Sequence, residues 1–375
     1  MGRDRVEPDW PPLTDEEVSA VLARYGRRGG AAVRWRSPRP MSAAALAGYD
    51  GAEVFVKRHH ALVRTGAQLS AEHALADHLR ALGVAVPAVL RLPGGGTTVA
   101  SGGYVYEVHA VAAGIDLYRD VLSWEPFTSA QHARAAGAAL ARFHRASASF
   151  GMPERAPAVL TNSCAVITAP DPLAELGRLA ARRPGLASYL DARPWRDDFT
   201  RYHLPAIGQL APSLPGLGRL WGHGDWHPSN LTWDSASPDA GVAAVIDLGL
   251  ANRTFAAHDL AVAIERSAVS WLDLAEKGWA HPDIPAVDAL LDGYQAVRSL
   301  SRAELAALPP LLPVVHIEYA LSEVEYFASV VRSLTNADLA YHTYLVGHTR
   351  WFGTPDGRAL LSHLRERADR RPAVR

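Results

Sequence analysis

The stretch that most restricts the folds open to this chain is residues 220–249, LWGHGDWHPSNLTWDSASPDAGVAAVIDLG. Asp225 and Asn230 stand five apart in a segment that also holds Gly224 and Pro228. Proline lacks a backbone donor and glycine lacks a side chain, so this segment is a loop rather than an unbroken helix or strand. Residues 231–233 and 242–246 are short apolar runs, and the turn-rich DSASPDAG between them makes a hairpin the economical reading. A hairpin returns the chain to its start. Asp247 is therefore expected beside Asn230, a carboxylate and an amide oxygen aimed at one point, with Asp225 close by on the loop. Hard oxygen donors of this kind suit Mg²⁺.

The order His-x-Asp, then Asn, then Asp-x-Gly at the end of a hairpin is the order kinases use for phosphoryl transfer. HGDWHPSN at 223–230 resembles the HGDxHPxN loop of the aminoglycoside phosphotransferase and choline kinase group, and VIDLG at 245–249 resembles its metal-binding segment. Asp259-Leu260-Ala261 resembles the group's Asp-Leu-Ala helix start, and LARFH at 140–144 its Leu-Ala-x-x-His helix. The resemblance implies a bilobal α+β protein kinase-like fold, with a five-stranded antiparallel sheet plus helix in the N-terminal lobe and a mostly helical C-terminal lobe. The implied division is 1–107 for nucleotide binding and 108–375 for catalysis and substrate, with a hinge at 107–111.

The same resemblance implies roles. Asp225 receives the proton of a substrate hydroxyl, Asn230 and Asp247 hold Mg²⁺, and Lys57 draws charge from the phosphates of ATP or GTP. Glu72 on the next helix holds Lys57, and main-chain groups near Val108 and Ala110 pair with the adenine edge. The expected activity is transfer of a γ-phosphoryl group to a hydroxyl of an antibiotic or specialised metabolite. The alternatives are a small metabolic alcohol or sugar of the choline, homoserine or aminosugar type, or a nucleotide-binding protein without catalysis. Because Lys57, Asp225, Asn230 and Asp247 are all present, an enzyme is the preferred reading.

Composition narrows the partners. With 38 basic and 39 acidic residues the net charge is −1, which argues for neither nucleic acid nor an anionic membrane as a partner. The single cysteine, Cys164, excludes an internal disulfide and reads as a small buried hydrophobe in a reducing compartment. The N-terminal MGRDRVEPDWPP has no apolar run behind its charges and no apolar window reaches the length of a membrane span, so a soluble cytoplasmic protein is expected. Lysine occurs only at 57 and 277 among many arginines, which singles out Lys57.

In chain order, 13–25 reads as a Thr-capped helix, 31–37, 42–49 and 53–59 as strands, and 65–82 as a helix carrying Glu72 and Asp77. Residues 84–92 and 97–108 read as the last two strands, turning at Gly94-Gly95-Gly96. The 37–42 turn, SPRPMS, lacks the glycines that cover phosphates in protein kinases. Residues 129–148 form a core helix, 149–170 a loop crossing the substrate side, and 172–182 and 198–210 two substrate-side helices. Further helices are expected at 259–271, 286–300, 302–308, 311–334, 337–352 and 355–367, with fraying beyond 368. Glu318, Glu325 and Tyr326 are expected near 341–344, as a substrate wall or, more ordinarily, as a solvated acidic face beside an aromatic stripe. His109, His144 and His227 read as structural, and His223 as a tie between the loop and the metal-binding segment. A zinc hydrolase built on His223, Asp225 and His227 would leave Asn230 and Asp247 unexplained.

Overall fold

Thr14 starts the first helix, α1 (Asp15–Arg24), by accepting the Glu17 amide at 3.2 Å, with Asp15, Glu16 and Glu17 in the first turn. The computed structural model of the chain describes residues 8–370. The first seven residues, and the expected tail beyond Arg370, lie outside it. Val18, Val21 and Leu22 of α1 bury against an antiparallel sheet of β1 (Ala32–Arg36), β2 (Ala43–Tyr49), β3 (Ala52–His60), β4 (Thr98–Ser101) and β5 (Tyr104–Ala110), ordered β1-β2-β3-β5-β4. Asp50 and Gly51 take φ of 46° and 75°, the left-handed pair that closes a two-residue hairpin between β2 and β3.

The five strands are reached by a different route from the expected one. The β4–β5 turn falls at Gly102 and Gly103, with φ of 59° and 82°, rather than at 94–96. Residues 84–92 do not form a full strand. They run beside β5 through a single bridge, Val89 to His109, with Leu90 N–H donating to the Val108 carbonyl and Ala110 N–H to the Ala88 carbonyl, both at 2.8 Å. Between β3 and β4 lies α2 (Gly66–Ala81), opened by a capping box of Thr65 and Gln68. Its Leu75 and Leu79 join the core of the larger, helical region.

That region is built on α3 (Ala130–Ser147), capped by Ser129, which packs on the helix Ile284–Gln295. The hairpin of β7 (Leu231–Trp233) and β8 (Val242–Val245) forms where the turn residues place it. The pairing that flanks it, β6 (Arg219–Gly222) with β9 (Asn252–Phe255), has no local signal in the sequence. The helix expected from Asp259 begins at Ala256 and ends at Ser267, and a separate helix, Trp271–Lys277, follows. The expected 311–334 helix is divided: Arg302–Leu311 ends there, Ile317–Glu325 follows, and a π-turn carries the chain to Val331, where Arg332 at φ 61° stops it. Among the described residues no helix is long and apolar enough to cross a membrane.

Candidate active site

The loop between β6 and β7 is shaped by one buried carboxylate. Asp259, in the first turn of the helix Ala256–Ser267, accepts the His223 amide at 2.6 Å and the Gly224 amide at 2.9 Å. His144 of α3 donates Nε2–H to the same carboxylate at 2.9 Å and meets the Tyr294 hydroxyl at 2.8 Å through Nδ1. His144 is therefore structural, as expected. Burial alone would raise the Asp259 carboxyl, but its bond to His144 and the charge of that imidazole hold it below the usual range. Gly224 has φ 77°, and a Cβ there would stand 2.3 Å from the Leu250 carbonyl oxygen. No other residue fits this bend without moving the following segment.

His223 ties the two halves of the site. Its Nδ1 accepts the Asp225 amide at 3.2 Å, so the proton sits on Nε2, which donates to the Ile246 carbonyl at 3.0 Å. The side chain of Asp225, partly buried, is then set among three donors. Arg266 Nη1 lies 3.1 Å from Oδ1, and Asn230 Nδ2 and His227 Nε2 lie 3.1 and 3.5 Å from Oδ2. Burial pushes this carboxyl up, but Arg266 first and His227 second pull it well below the usual carboxylate range. Asp225 stays ionised. His227, expected to be structural, stands at the site itself.

Asn230 uses its amide nitrogen for both of its side-chain bonds, to the Asp225 backbone oxygen at 2.9 Å and to the Asp225 carboxylate, and neither bond engages its oxygen. Asp247 adopts a left-handed conformation, φ 57° and ψ 76°, which turns its side chain back toward β3. It is 42% exposed, meets Lys57 Nζ at 3.0 Å through Oδ2, and receives the Gly249 amide at 3.3 Å on Oδ1. Burial raises its carboxyl and Lys57 more than offsets that. An exposed carboxylate beside an available amide oxygen is a donor set that fits Mg²⁺. The structure thus brings Lys57, Asp225, Asn230 and Asp247 to one place.

Three other expected site residues are arranged differently. Glu72 does not bond Lys57. Its Oε1 accepts Arg64 Nε at 3.2 Å and Arg155 Nη2 at 2.6 Å, and both arginines also donate to the Gly249 carbonyl, at 2.9 and 3.0 Å. The 149–170 crossing segment brings Arg155 in, and the two guanidiniums outcompete a single ammonium for this carboxylate. The Val108 carbonyl and the Ala110 amide are likewise engaged, by Leu90 and Ala88. The chain leaves the sheet only at Val111.

Arg64, Arg155 and Arg266 escaped the sequence reading. Arg266 alone left a trace, since it lies two helical turns after Asp259 and so faces the same loop. The expected wall of Glu318, Glu325 and Tyr326 is also engaged elsewhere. Glu318 bonds Ser163 and the Val166 amide, Glu325 pairs with Arg183, and the Tyr326 hydroxyl donates to Asp9 at 2.8 Å. Their neighbours Tyr319 and Glu323 face Arg266 and Asp225 instead, and burial raises the Glu323 carboxyl to about 7. Arg266 itself lies 4.0 Å over the Trp124 ring.

A five-stranded sheet with two helices, joined to a helical region that carries this loop and hairpin, defines a bilobal protein kinase-like fold. The chain superposes over 96% of its length on an aminoglycoside phosphotransferase of Alicyclobacillus acidocaldarius, covering 98% of that chain with a TM-score of 0.55 at 18% identity. It superposes over 88% of its length on a microcompartment-associated aminopropanol kinase, covering 98% of that chain with a TM-score of 0.53 at 16% identity. Residues 43–308 match the phosphotransferase enzyme family, APH, and the chain belongs to that family. A homoserine kinase of Gluconacetobacter diazotrophicus is 30% identical over 192 residues, half of each protein, and one of Nitrobacter winogradskyi is 29% identical over 258 residues, 68% of each. The chain spans about half the length of the first of these curated relatives.

Proposed function

We propose that this chain is a Mg²⁺-dependent small-molecule kinase that transfers the γ-phosphoryl group of ATP or GTP to a substrate hydroxyl. The observation that carries the reading is the convergence of Lys57, Asp225, Asn230 and Asp247 across 190 residues of sequence, from two separate regions of the fold. Asp225, kept ionised by Arg266, orients the acceptor hydroxyl and takes its proton as the bond to phosphorus forms. Asn230 and Asp247 would hold the metal, whose charge offsets that of the phosphates. Lys57 adds a second positive charge on the nucleotide side, and the connection past Ala110 supplies the main-chain groups for the base. Most of the rate gain in such a site is positioning and electrostatics.

For the acceptor we favour a hydroxyl compound that also carries an amine, an antibiotic or specialised metabolite first and a small amino alcohol of the homoserine type second. Glu323 and Tyr319 support this, being a carboxyl group and a phenol near Asp225 and Arg266, with Trp124 against Arg266. The relatives named homoserine kinase support the second choice. The test is nucleotide turnover with Mg²⁺ across antibiotics, amino alcohols, nucleosides and sugars, with mass detection of an added phosphoryl group. Transfer to amine-bearing hydroxyl compounds that vanishes in Asp225→Ala is the expected result. Transfer confined to uncharged sugars would overturn the acceptor assignment, and transfer retained in Asp225→Ala would overturn the mechanism.

A further inference from the structure

We propose that Glu107, not Glu72, is the anion that positions Lys57. The inference rests on the reading of Lys57 given above as a phosphate-side charge. Lys57 and Glu107 are directly paired across β3 and β5. Residues opposed in this way project to the same face with their Cβ atoms about 5 Å apart. On that face α2 contributes Glu72 and His73, and β3 and β5 contribute His59 and His109.

Charge decides between the two glutamates. Glu72 is paired with two arginines, so the group as a whole carries a net positive charge and repels an ammonium. Glu107 is held by three imidazoles: His59 Nε2 at 3.0 Å from Oε1, and His73 Nε2 and His109 Nε2 at 2.6 and 3.0 Å from Oε2. His73 is itself oriented by Thr97 Oγ1, 2.8 Å from its Nδ1. Burial holds His59 below its ordinary value, so it donates as an uncharged ring, and the contacts with His109, His59 and His73 more than offset the burial of the Glu107 carboxyl and hold it well below the usual range, fixed in place and ionised. Those hydrogen bonds also account for the cluster without any bound ion. The remaining anion near Lys57 is Asp247, half-exposed and assigned to the metal. When Asp247 turns to that role, Glu107 is what keeps the ammonium from drifting.

The swap gives Glu72 different work. Through Arg64 and Arg155 it fixes the Gly249 carbonyl, and so the turn that carries Asp247.

The test is affinity for Mg²⁺–ATP, measured by calorimetry on the full chain and therefore independent of any acceptor. Glu107→Gln is expected to weaken binding roughly tenfold and Glu72→Gln by less than about threefold. In a Lys57→Met background Glu107→Gln should cost less than about twofold, because a positioning role disappears with its target whereas a merely structural one persists. Equal losses in both backgrounds, or a larger loss in Glu72→Gln, would overturn the proposal. Should Glu107→Gln fail to fold, Glu107→Asp, which keeps the charge but shortens its reach, is read by the same two-background criterion. If Lys57→Met leaves affinity unchanged, the reading of Lys57 falls and this inference with it. If Lys57→Met weakens binding while both Glu107 variants bind like the unaltered chain, the inference alone falls.

Discussion

The loop that carries Asp225 and the lysine strand face the same problem, holding charged groups still in a crowded interior, and they use opposite means. At the loop one carboxylate, Asp259, grips backbone amides of consecutive residues, and the side chains that matter follow within a short stretch. At the lysine strand the β3–β5 ladder sets Lys57 opposite Glu107, but the side chains of α2 and of the 149–170 segment reach it from elsewhere in the chain. The first arrangement is robust because the backbone itself is pinned. The second depends on buried side-chain pairs, so a single substitution there changes the balance of charge.

The comparison can be broken in four ways, taken from the largest expected effect down. Asp225→Ala should lower turnover by about a thousandfold or more while leaving nucleotide affinity within about threefold, checked by steady-state kinetics and calorimetry. An equal loss of nucleotide affinity would mean that the loop and the lysine side are not separable. Asp259→Ala strands two buried amides and His144 and should cost about 3–5 kcal/mol in denaturant unfolding. A cost near zero would remove the clamp from the account of the loop. Gly224→Ala, forced toward the Leu250 carbonyl, should cost about 2–4 kcal/mol, whereas Gly51→Ala, at a similar φ of 75° but in open space, should cost about 1 kcal/mol. Equal thermal shifts for the two would show that backbone strain rather than crowding governs Gly224.

The fourth prediction concerns pH. Arg266 is the foremost cause of the depressed Asp225 carboxyl, so its removal favours the protonated form. In Arg266→Met the acid limb of the pH–rate profile should therefore move upward, by about one pH unit or more. An unmoved limb would assign the low value to His227 and the loop amides.

Legibility in the sequence follows the same division. The loop and hairpin could be read because proline, glycine and turn residues act locally, and His223, Asp225, Asn230 and Asp247 fall within that local frame. The caps at Thr14, Thr65 and Ser129 are local in the same sense. The partners of Glu72 could not be read, because Arg155 lies 83 residues away and is delivered by a segment without periodicity. The β4–β5 turn was misplaced because three glycines at 94–96 are a stronger composition signal than two at 102–103. Only backbone conformation distinguishes them. The interrupted 311–334 run shows the same limit: its apolar periodicity persists through a π-turn, while the stop at Arg332 depends on a left-handed residue with no glycine to announce it.

The scarcity of lysine has a practical use. Lys57 and Lys277 are the only side-chain amines in the chain, and they differ in environment: the Lys277 side chain is 47% exposed beside Asp273, while that of Lys57 is 16% exposed against Asp247. An amine-directed reagent therefore has one side-chain target at the surface and one largely shielded beside Asp247. Modification of Lys57 with and without nucleotide, read by peptide mass against Lys277 as an internal standard, is a direct test of whether nucleotide covers it.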